Sequence, residues 1–404
     1  MTDAMAGEVP ELDLADPEVL ADPLAAYGCA HAKGPMMRLG VPGLGPLWAA
    51  TRQDEARAVL GDPRFAINSG SFLRHPAIPD ECLVHLRTMS ELDGPEHRRI
   101  RRLVAPAFTP RRAEEFRPRV ERIVAALLDG LPAEGPVDLL DAFARPLPMD
   151  VICELVGIPE IDRPRWREYG AAVLAGAGDA FGEAVPGIID GAKAAVERRR
   201  AAPGDDLLDD LIRAQAEDGD RLSDVELVTL VWQLVLAGQT PANLIANGLE
   251  VLLTHRGELE KLRADPSLMP TAVDELIRLC GPNMLAIPRY AREDAEVSGT
   301  QIREGDRVTA VIASANRDPR AFEDPDRLDI TRPPRQHLGF GYGPHVCLGA
   351  SLARVQTEVA LAALLDRFPN LSLAENPENP ENPENLWRAT DPGTLRLAEL
   401  PVVY

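Results

Sequence analysis

A run near the C-terminus places a single cysteine directly before a long stretch with the apolar periodicity of a helix. Residues 340–349 read Phe-Gly-Tyr-Gly-Pro-His-Val-Cys-Leu-Gly. Because the first N–H groups of a helix lack internal partners and the dipole is positive there, this position can stabilise a thiolate at Cys347. Gly341 and Gly343 let the backbone pass close to a flat ligand, since neither has a Cβ. A thiolate presented in this way suits a haem iron as its single axial protein ligand.

This run resembles the haem-binding loop of the cytochrome P450 family of haem-thiolate monooxygenases. The alternative is a buried structural cysteine after a glycine-rich turn, but few other families share the run. The resemblance extends from about residue 20 to the C-terminus and includes the turn at 316–319, Asn-Arg-Asp-Pro. It implies that Cys347 ligates the iron of haem b (iron protoporphyrin IX) and that Phe340, Gly341 and Gly349 border this cofactor.

The resemblance also implies the architecture. We expect a mainly α fold with a minor β region, in which the haem lies between the long central helix and the helix after the cysteine loop. Residues 1–404 would form one triangular domain, and no linker divides them. Residues 1–20 would be an N-terminal tail. The repeated Glu-Asn-Pro triplets of 375–385 predict an extended, solvated surface loop, the alternative being contact with a partner.

Local patterns predict where helices and strands lie. Residues 36–50 are typical of strands broken by Gly/Pro turns, and a helix should follow and stop at Asp62-Pro63. Residues 65–90 lack clear periodicity and predict a long loop with a short helix. Residues 95–280 are almost all helical in pattern, whereas strands and turns return over 285–345.

The central helix has a clear predicted start. Ser223 and Glu226 match a capping box, in which each side chain satisfies a free N–H of the first turn. Apolar residues continue with little interruption to about Leu253. The pattern therefore predicts one long, mostly buried helix.

This helix contains Ala-Gly-Gln-Thr-Pro at residues 237–241. The resembled family usually has Ala or Gly, Gly, a variable residue, an acid and threonine, and the last two help to deliver protons. Counted from the capping box, Pro241 takes the threonine position; counted back from the apolar residues that follow, Thr240 takes it and Gln239 replaces the acid. This register stays open. The catalytic candidates are Ala237, Gly238, Gln239 and Thr240.

Pro241 has a mechanical consequence. It lacks an N–H, and its ring clashes with the carbonyl of Ala237, so we expect a kink that frees a carbonyl beside Gly238. The resembled family has a distortion here that serves as its dioxygen groove. Thr240 or a substrate hydroxyl would organise water in it. Alternatively, Thr240 only hydrogen-bonds back to its own helix and takes no part.

Four cationic or imidazole side chains match haem propionate partners of the family. His97 and Arg101 are four residues apart in a helical stretch and share a face. Arg289 and His345 match two further partners, and such groups suit charge-assisted bonds to carboxylates. Arg98, Arg99 and Arg102 add a local basic patch, which either docks an acidic ferredoxin or is an ordinary solvated helix face.

A structural triad is expected beside the cysteine loop. Glu275 and Arg278 are three residues apart on one predicted helix face, which by itself is a common surface ion pair of small stability. In the resembled family the same pair bonds a third residue upstream of the haem loop, and Arg332 is the matching candidate. Its expected role is to fix the haem site.

The substrate pocket is expected between the 65–90 loop, the central helix and the residues after the Arg278 helix. Its predicted residues are mostly aliphatic, which suits a bulky apolar substrate, although each could equally belong to the core. They are Phe72, Leu73, Leu83, Leu234, Met284, Leu285 and Ile287.

Composition limits the partners. The formal net charge of −21 argues against nucleic acid and anionic membranes. Five scattered cysteines fit a reducing cytosol better than a disulfide framework. No stretch approaches the ~20 apolar residues of a membrane span. We therefore expect a soluble, cytoplasmic monomer with no nucleic acid or membrane partner.

Together, these features imply a monooxygenase that inserts one oxygen atom from O2 into a lipophilic small molecule by hydroxylation or epoxidation. The resemblance favours the tailoring of a polyketide or macrolide-type secondary metabolite, free or bound to a carrier protein. No segment is left for a flavin or iron–sulfur domain, so a ferredoxin and its NAD(P)H-dependent ferredoxin reductase would supply electrons. The alternatives are a peroxide-driven peroxygenase and a non-enzymatic haem sensor or carrier.

Overall fold

The structure is a computed structural model, and it describes residues 9–42, 45–72, 78–133, 135–174, 179–217, 222–238, 240–374, 388–389 and 391–404. Some predictions fall on other residues. Leu73, Gln239, the 375–385 loop and residues 1–8 of the predicted tail lie outside the described residues.

Helices make up most of the described chain. They are α1 Pro17–Ala21, α2 Pro23–Gly28, α3 Ala30–Lys33, α4 Gln53–Gly61, α5 Gly94–Val104, α6 Pro110–Asp129, α7 Pro146–Leu155, α8 Arg163–Leu174, α9 Asp179–Ala201, α10 Leu207–Glu217, α11 Asp224–Ala237, α12 Thr240–Thr254, α13 Arg256–Ala264, α14 Met269–Cys280, α15 Ile312–Ala315 and α16 Ala350–Arg367. In the part of the chain that the structure describes, no helix combines the length and apolar character needed to cross a membrane.

The strands are short. They are β1 Glu11–Asp13, β2 Met36–Val41, β3 Gly45–Ala50, β4 Phe65–Ala66, β5 Val137–Asp138, β6 Arg289–Ala291, β7 Ala295–Val297, β8 Thr300–Ile302, β9 Arg307–Ala310, β10 Ser372–Leu373 and β11 Pro401–Val403. The main sheet has the order β1-β2-β3-β9-β6-β4, and smaller sheets have the orders β10-β11-β5 and β7-β8.

Most element predictions are confirmed. Residues 36–50 form the antiparallel pair β2 and β3, in which Leu39 lies opposite Leu47, and α4 ends at Gly61 before the predicted stop. Within the described part of 65–90, β4 is followed by 3₁₀ turns instead of a regular helix. The stretch 95–280 is helical apart from β5 and connecting turns.

The central helix is where the structure differs from the simplest prediction. The Ser223–Glu226 capping box is present, but α11 ends at Ala237 and α12 begins at Thr240. The described residues therefore form two helix segments where the simplest prediction has one. Gly238 is still in the α-helical region and its N–H donates to the carbonyl of Leu234, so the expected distortion lies between this residue and the first turn of α12, where Pro241 offers no N–H.

The core positions the two ends of the candidate site. Helix α16 packs against α6 and α12 through a stripe that includes the fully buried Ala360, Leu361 and Leu364. This spacing puts the three side chains on one helix face. As a result, the N-terminus of α16, with the cysteine loop before it, is held close to the first turns of α12.

Candidate active site

The cysteine loop, residues 340–349, has a backbone shape that depends on its glycines. Gly341 and Gly343 have φ angles of 73° and 74°, in the left-handed region that favours glycine. A Cβ at Gly343 would lie 2.6 Å from a carbonyl oxygen of α4. The loop closes where the N–H of Cys347 donates to the carbonyl of Phe340 over 2.8 Å. Its path is therefore fixed by glycine conformation and close packing together.

The thiol of Cys347 is surrounded by protein but opens into an internal cavity, so its surface is accessible. Burial raises the pKa of this thiol, while the N–H of Gly349, which donates to Sγ, acts in the opposite direction. A positive charge beside the sulfur is what would hold it as a thiolate, as in metal coordination.

The cavity has a volume of about 400 Å³ and separates the cysteine loop from the junction of α11 and α12. Gly349 lines it, and a Cβ built on Gly349 would meet no atom within 4 Å, which leaves room directly above the loop. Phe340 and Gly341 line the same floor. A flat ligand fits this space because Gly341 and Gly349 leave the loop backbone without side chains there.

Four nitrogen-bearing side chains line one side of the cavity: His97, Arg101, Arg289 and His345. The rings of His97 and His345 lie 4.1 Å apart between centroids. Arg101 donates from Nη2 to the carbonyl of Val346 over 2.7 Å, which ties α5 to the cysteine loop. Sequence reasoning proposed these four as a set, and the structure brings them together.

Two of these groups have buried donors without partners. Neither Nε2 of His345 nor Nε of Arg289 has a hydrogen-bond acceptor among the described residues. Asp93 is the acid that faces them, and its Oδ1 is 3.7 Å from Nε2 of His345. Buried donors of this kind normally have partners, so their presence beside a cavity indicates an acceptor from a ligand.

Burial sets the charge of the cluster. It lowers the pKa of His345 to about 4, with His97 and Arg289 adding to the effect, and it lowers the pKa of Arg289 to about 10. Burial and then Arg101 also lower the pKa of His97. At neutral pH the two arginines are cationic and the two imidazoles neutral donors. A carboxylate-bearing ligand such as haem fits this cluster, with Cys347 in the same cavity as the candidate iron ligand.

The triad of Glu275, Arg278 and Arg332 is assembled in the interior. Glu275 accepts bonds of 2.8 Å to each oxygen from Nη2 and Nε of Arg278, and a bond of 3.0 Å from Nε of Arg332. All three side chains are largely buried. Buried charges need such partners, and the two guanidinium groups share the one carboxylate while donating further bonds to backbone carbonyls.

Hydrogen bonds connect this triad to the cysteine loop. Arg278 donates from Nη1 to the carbonyl of Asn316 over 2.8 Å, and Oδ1 of Asn316 accepts from the N–H of Leu338 over 2.7 Å. The carbonyl of Leu338 in turn accepts from the N–H of Gly341. The triad thereby reaches the loop through the backbone, without a side chain of its own in the cavity.

The α11–α12 junction forms the wall opposite the cysteine. Ala237, Gly238, Thr240 and Pro241 all line the cavity. Gly238 packs so closely against Cδ1 of Ile152 that a Cβ would overlap it. The hydroxyl of Thr240 makes no hydrogen bond to another described residue, so the expected alternative of back-bonding to the helix is not observed in the described chain.

A family model described as cytochrome P450 matches residues 178–397. Cytochrome P450 monooxygenase PikC of Streptomyces venezuelae is 40% identical over 374 residues, which cover 91% of this chain and 89% of PikC. Mycinamicin IV hydroxylase/epoxidase of Micromonospora griseorubida is 41% identical over 355 residues, covering 86% and 88% of the two chains. The chain belongs to the cytochrome P450 family.

The P450 fold is confirmed by a solved structure. The bacillaene polyketide synthase cytochrome P450 PksS of Bacillus subtilis superposes with a TM-score of 0.86 at 35% identity, over 96% of this chain and 98% of that one. The predicted mainly α fold with a minor β region is therefore correct. As a cytochrome P450, the chain is an oxidoreductase of the monooxygenase type with haem as its cofactor. That residues 1–404 form one domain stays a prediction.

The P450 cavity includes only part of the predicted substrate wall. Leu234, Leu285 and Ile287 line it, whereas Phe72, Leu83 and Met284 are not among its described lining residues. Successive residues of an extended segment point to opposite sides, so Met284 enters the core, fully buried, while Leu285 faces the cavity. Leu83 is exposed on the surface.

Sequence reasoning missed several cavity residues of this P450, among them Met89, Ser90, Gln233, Leu244 and Gln356. Gln233 and Leu244 could have been found, because each is three or four residues along its helix from a predicted wall residue. Met89 and Ser90 belong to the 3₁₀ turn Met89–Glu91, for which the sequence gives no signal.

The predicted basic patch of Arg98, Arg99 and Arg102 is smaller in the structure. Arg99 forms an ion pair with Glu226 of the capping box, and both side chains are mostly buried. Arg98 and Arg102 are exposed. Arg99 therefore joins α5 to α11 and is not part of a solvated face, which contradicts its inclusion in the patch.

Proposed function

We propose that this P450 inserts one oxygen atom from O2 into a lipophilic small molecule of polyketide or macrolide type, by hydroxylation or epoxidation. The observation that carries the proposal is the wall of the cavity beyond the cysteine loop. It consists mainly of aliphatic side chains, including Leu230, Leu234, Leu244, Leu285 and Ile287. Such a wall favours a substrate held by apolar burial.

The relatives support this substrate class. One is named for mycinamicin IV, and another takes its name from a polyketide synthase. Both the reaction names hydroxylase and epoxidase occur among them. Relatives named for vitamin D(3) and nocardicin C match over similar lengths, so the experiment below includes other chemical classes.

The chain's own residues would hold the haem as follows. Cys347 would ligate the iron, and the His97, Arg101, Arg289 and His345 cluster would bind the propionates. When bound, the haem supplies the reduction and cleavage of dioxygen. Glu275, Arg278 and Arg332 act at a distance, by fixing the loop that presents Cys347.

The α11–α12 junction would serve proton delivery. Thr240 lines the cavity and its hydroxyl has no protein partner in the described chain, so it can hold a water molecule at this wall. Gln239 lies outside the described residues, and a glutamine cannot supply a titratable proton. The proton path proposed here therefore depends on Thr240 and water.

Electrons would come from a ferredoxin and an NAD(P)H-dependent ferredoxin reductase, with the P450 acting as a monomer in the cytoplasm. This proposal extends the general expectation for bacterial cytochromes P450, as which the relatives are named. Arg98 and Arg102 remain candidates for contact with an acidic ferredoxin. Reversal of their charges should slow ferredoxin-driven turnover and reduce its dependence on salt.

The first test is a titration of the purified holoenzyme, followed by the Soret band, with macrolides, linear polyketides, terpenoids and fatty acids. A shift with macrolides or polyketides, and a product heavier by one oxygen atom on turnover with ferredoxin and reductase, would support the proposal. A shift confined to terpenoids or fatty acids would refute the substrate class. Equal turnover with hydrogen peroxide alone would instead support the peroxygenase alternative.

A further inference from the structure

A hydrogen-bonded pair joins α11 to the 3₁₀ turn Met89–Glu91 at the wall of the cavity. Oε1 of Gln233 accepts from the N–H of Met89 over 3.0 Å, and Nε2 of Gln233 donates to Oγ of Ser90 over 3.2 Å. The N–H of Met89 is the first of its turn and has no partner within the turn, so the glutamine caps it. Met89, Ser90 and Gln233 all line the cavity.

The direction of these bonds leaves two donors free. Because Ser90 accepts from Gln233, its own O–H proton remains available, and no described residue accepts it. The amide of Gln233 has a second N–H that is likewise unused within the described chain. Ser90 and Gln233 are both only partly buried, and the surface they leave open belongs to the cavity.

The cavity wall beside the pair is apolar. Leu230, Leu234 and Ala237 line the wall beside Gln233 on the same helix. No aspartate or glutamate occurs among the described residues that line the cavity. A cationic group would therefore find no counter-charge from the described wall, whereas a neutral acceptor would find a ready donor.

We infer that Ser90 and Gln233 form a specificity-determining pair that binds a neutral hydrogen-bond acceptor of the substrate, such as a ketone or lactone carbonyl, with the Ser90 hydroxyl as donor. The inference rests on the proposed function, since it concerns the group by which that substrate is oriented. An acceptor held at this wall fixes which face of an otherwise apolar molecule turns towards the cysteine loop.

Three probes of one ring size test whether the pair binds an acceptor on the ligand or only holds the 3₁₀ turn against α11. They are cyclododecane, cyclododecanone and cyclododecylamine. Dissociation constants are measured by calorimetry with the holoenzyme in one cosolvent. Loss of one net hydrogen bond corresponds to about a three- to tenfold change in affinity. Ser90→Ala should raise the dissociation constant of the ketone by about this factor and leave that of the hydrocarbon unchanged.

Ser71→Ala is the matched control. Ser71 also lies in a 3₁₀ turn, and its hydroxyl accepts a hydrogen bond from the N–H of Asn68, but it does not line the cavity. The control should leave both constants unchanged. An equal loss of affinity for ketone and hydrocarbon in Ser90→Ala, or no loss for either, would overturn the inference.

A second variant inverts the selectivity. In Gln233→Glu the carboxylate can still accept from the N–H of Met89, so the turn stays capped, but it also accepts the free proton of Ser90. The ketone should bind several-fold more weakly, and the protonated cyclododecylamine about tenfold more tightly, because the wall now offers a charge-assisted acceptor. An equal loss of affinity for all three probes would show that the pair only holds the turn against α11.

These readouts are independent of the reaction. If the proposed substrate class is wrong, no macrolide or polyketide is oxidised, yet the ketone selectivity and its loss in Ser90→Ala persist. If the pair has no role in recognition, oxidation of the natural class continues while the selectivity of both variants matches that of the wild type.

Discussion

The guanidinium of Arg332 donates from Nε to Oε1 of Glu275 over 3.0 Å, although the two residues are 57 positions apart in the chain. The same oxygen accepts from Nη2 of Arg278 and from the N–H of Asp329. One carboxylate oxygen therefore joins α14 to the segment that leads into the cysteine loop. Removal of this carboxylate should loosen the cysteine loop even though none of these side chains enters the cavity.

Replacement of Glu275 by glutamine tests this connection. The amide cannot neutralise Arg278, which is almost completely buried, so the variant leaves an uncompensated interior charge. We expect the free energy of unfolding to fall by about 3–5 kcal/mol and haem content to decrease. Thermal unfolding and the haem-to-protein ratio measure the two effects. Glu260→Gln, at an exposed site of α13, should change neither.

The parts of this P450 that the sequence predicts well are local. The cysteine loop and the capping box are each contained in a short run, and Glu275 and Arg278 are a single helix turn apart, so spacing alone places their side chains. The bond from Gln233 to Ser90 spans 143 positions, and that from Arg99 to Glu226 spans 127. Such pairs depend on how elements pack, which no local pattern encodes.

The sequence also cannot predict which way a side chain points in an irregular segment. Met284 and Leu285 are equally apolar neighbours, and the sequence places both at the pocket. Only the pairing of this segment with its neighbours, through a bridge between Leu285 and Val311, decides that Leu285 faces the cavity and Met284 the core. A shift of one residue would have exchanged them.

Arg289, in the proposed haem-binding cluster, should contribute to haem retention. Its buried Nε lacks a partner within the described chain, and the residue is cationic at neutral pH despite a pKa lowered by burial. Arg289→Gln should raise the rate of haem loss about tenfold or more, the value of a charge-assisted bond. Haem transfer to apomyoglobin measures the rate of loss. Arg303→Gln, a surface change, should match the wild type, and equal rates in all three proteins would contradict the assignment.

Close packing at Gly238 leads to a paired prediction. A methyl group there overlaps Cδ1 of Ile152, so Gly238→Ala forces that side chain to move and should cost about 1–3 kcal/mol of stability. Ile152→Val removes the overlapping atom and alone should cost about 0.5–1.5 kcal/mol. The double variant should be more stable than the sum of the single losses predicts. Strict additivity in urea unfolding would mean that the two residues do not interact.

The free hydroxyl of Thr240 predicts a change in coupling. Thr240→Ala removes the one side-chain hydroxyl among residues 237–241, so product formed per NAD(P)H consumed should fall by roughly tenfold or more, with released peroxide rising. Thr254→Ala is the control, because that hydroxyl at the far end of α12 bonds back to the carbonyls of Glu250 and Val251. Unchanged coupling in Thr240→Ala would assign proton delivery to water or to the substrate.

Glu226 predicts a specific dependence of stability on pH. Burial alone would raise the pKa of its carboxyl group, but hydrogen bonds from the Ser223 N–H and from Arg99 together lower it below its ordinary value. A lowered folded-state pKa contributes stability above the unfolded-state value and loses it as the pH falls through the folded-state value. Glu226→Gln should therefore be less stable than the wild type by about 1 kcal/mol at pH 7.

That difference should shrink in acid, beginning at about pH 4, where free glutamate protonates, and vanish once the folded carboxyl group is protonated. Unfolding temperatures of the two proteins across this range measure it. Glu121→Gln, at an exposed site of α6, should follow the wild type at every pH. A deficit in Glu226→Gln that persists unchanged into acid would mean that the charge of Glu226 contributes nothing, and that the loss comes from altered packing between α5 and α11.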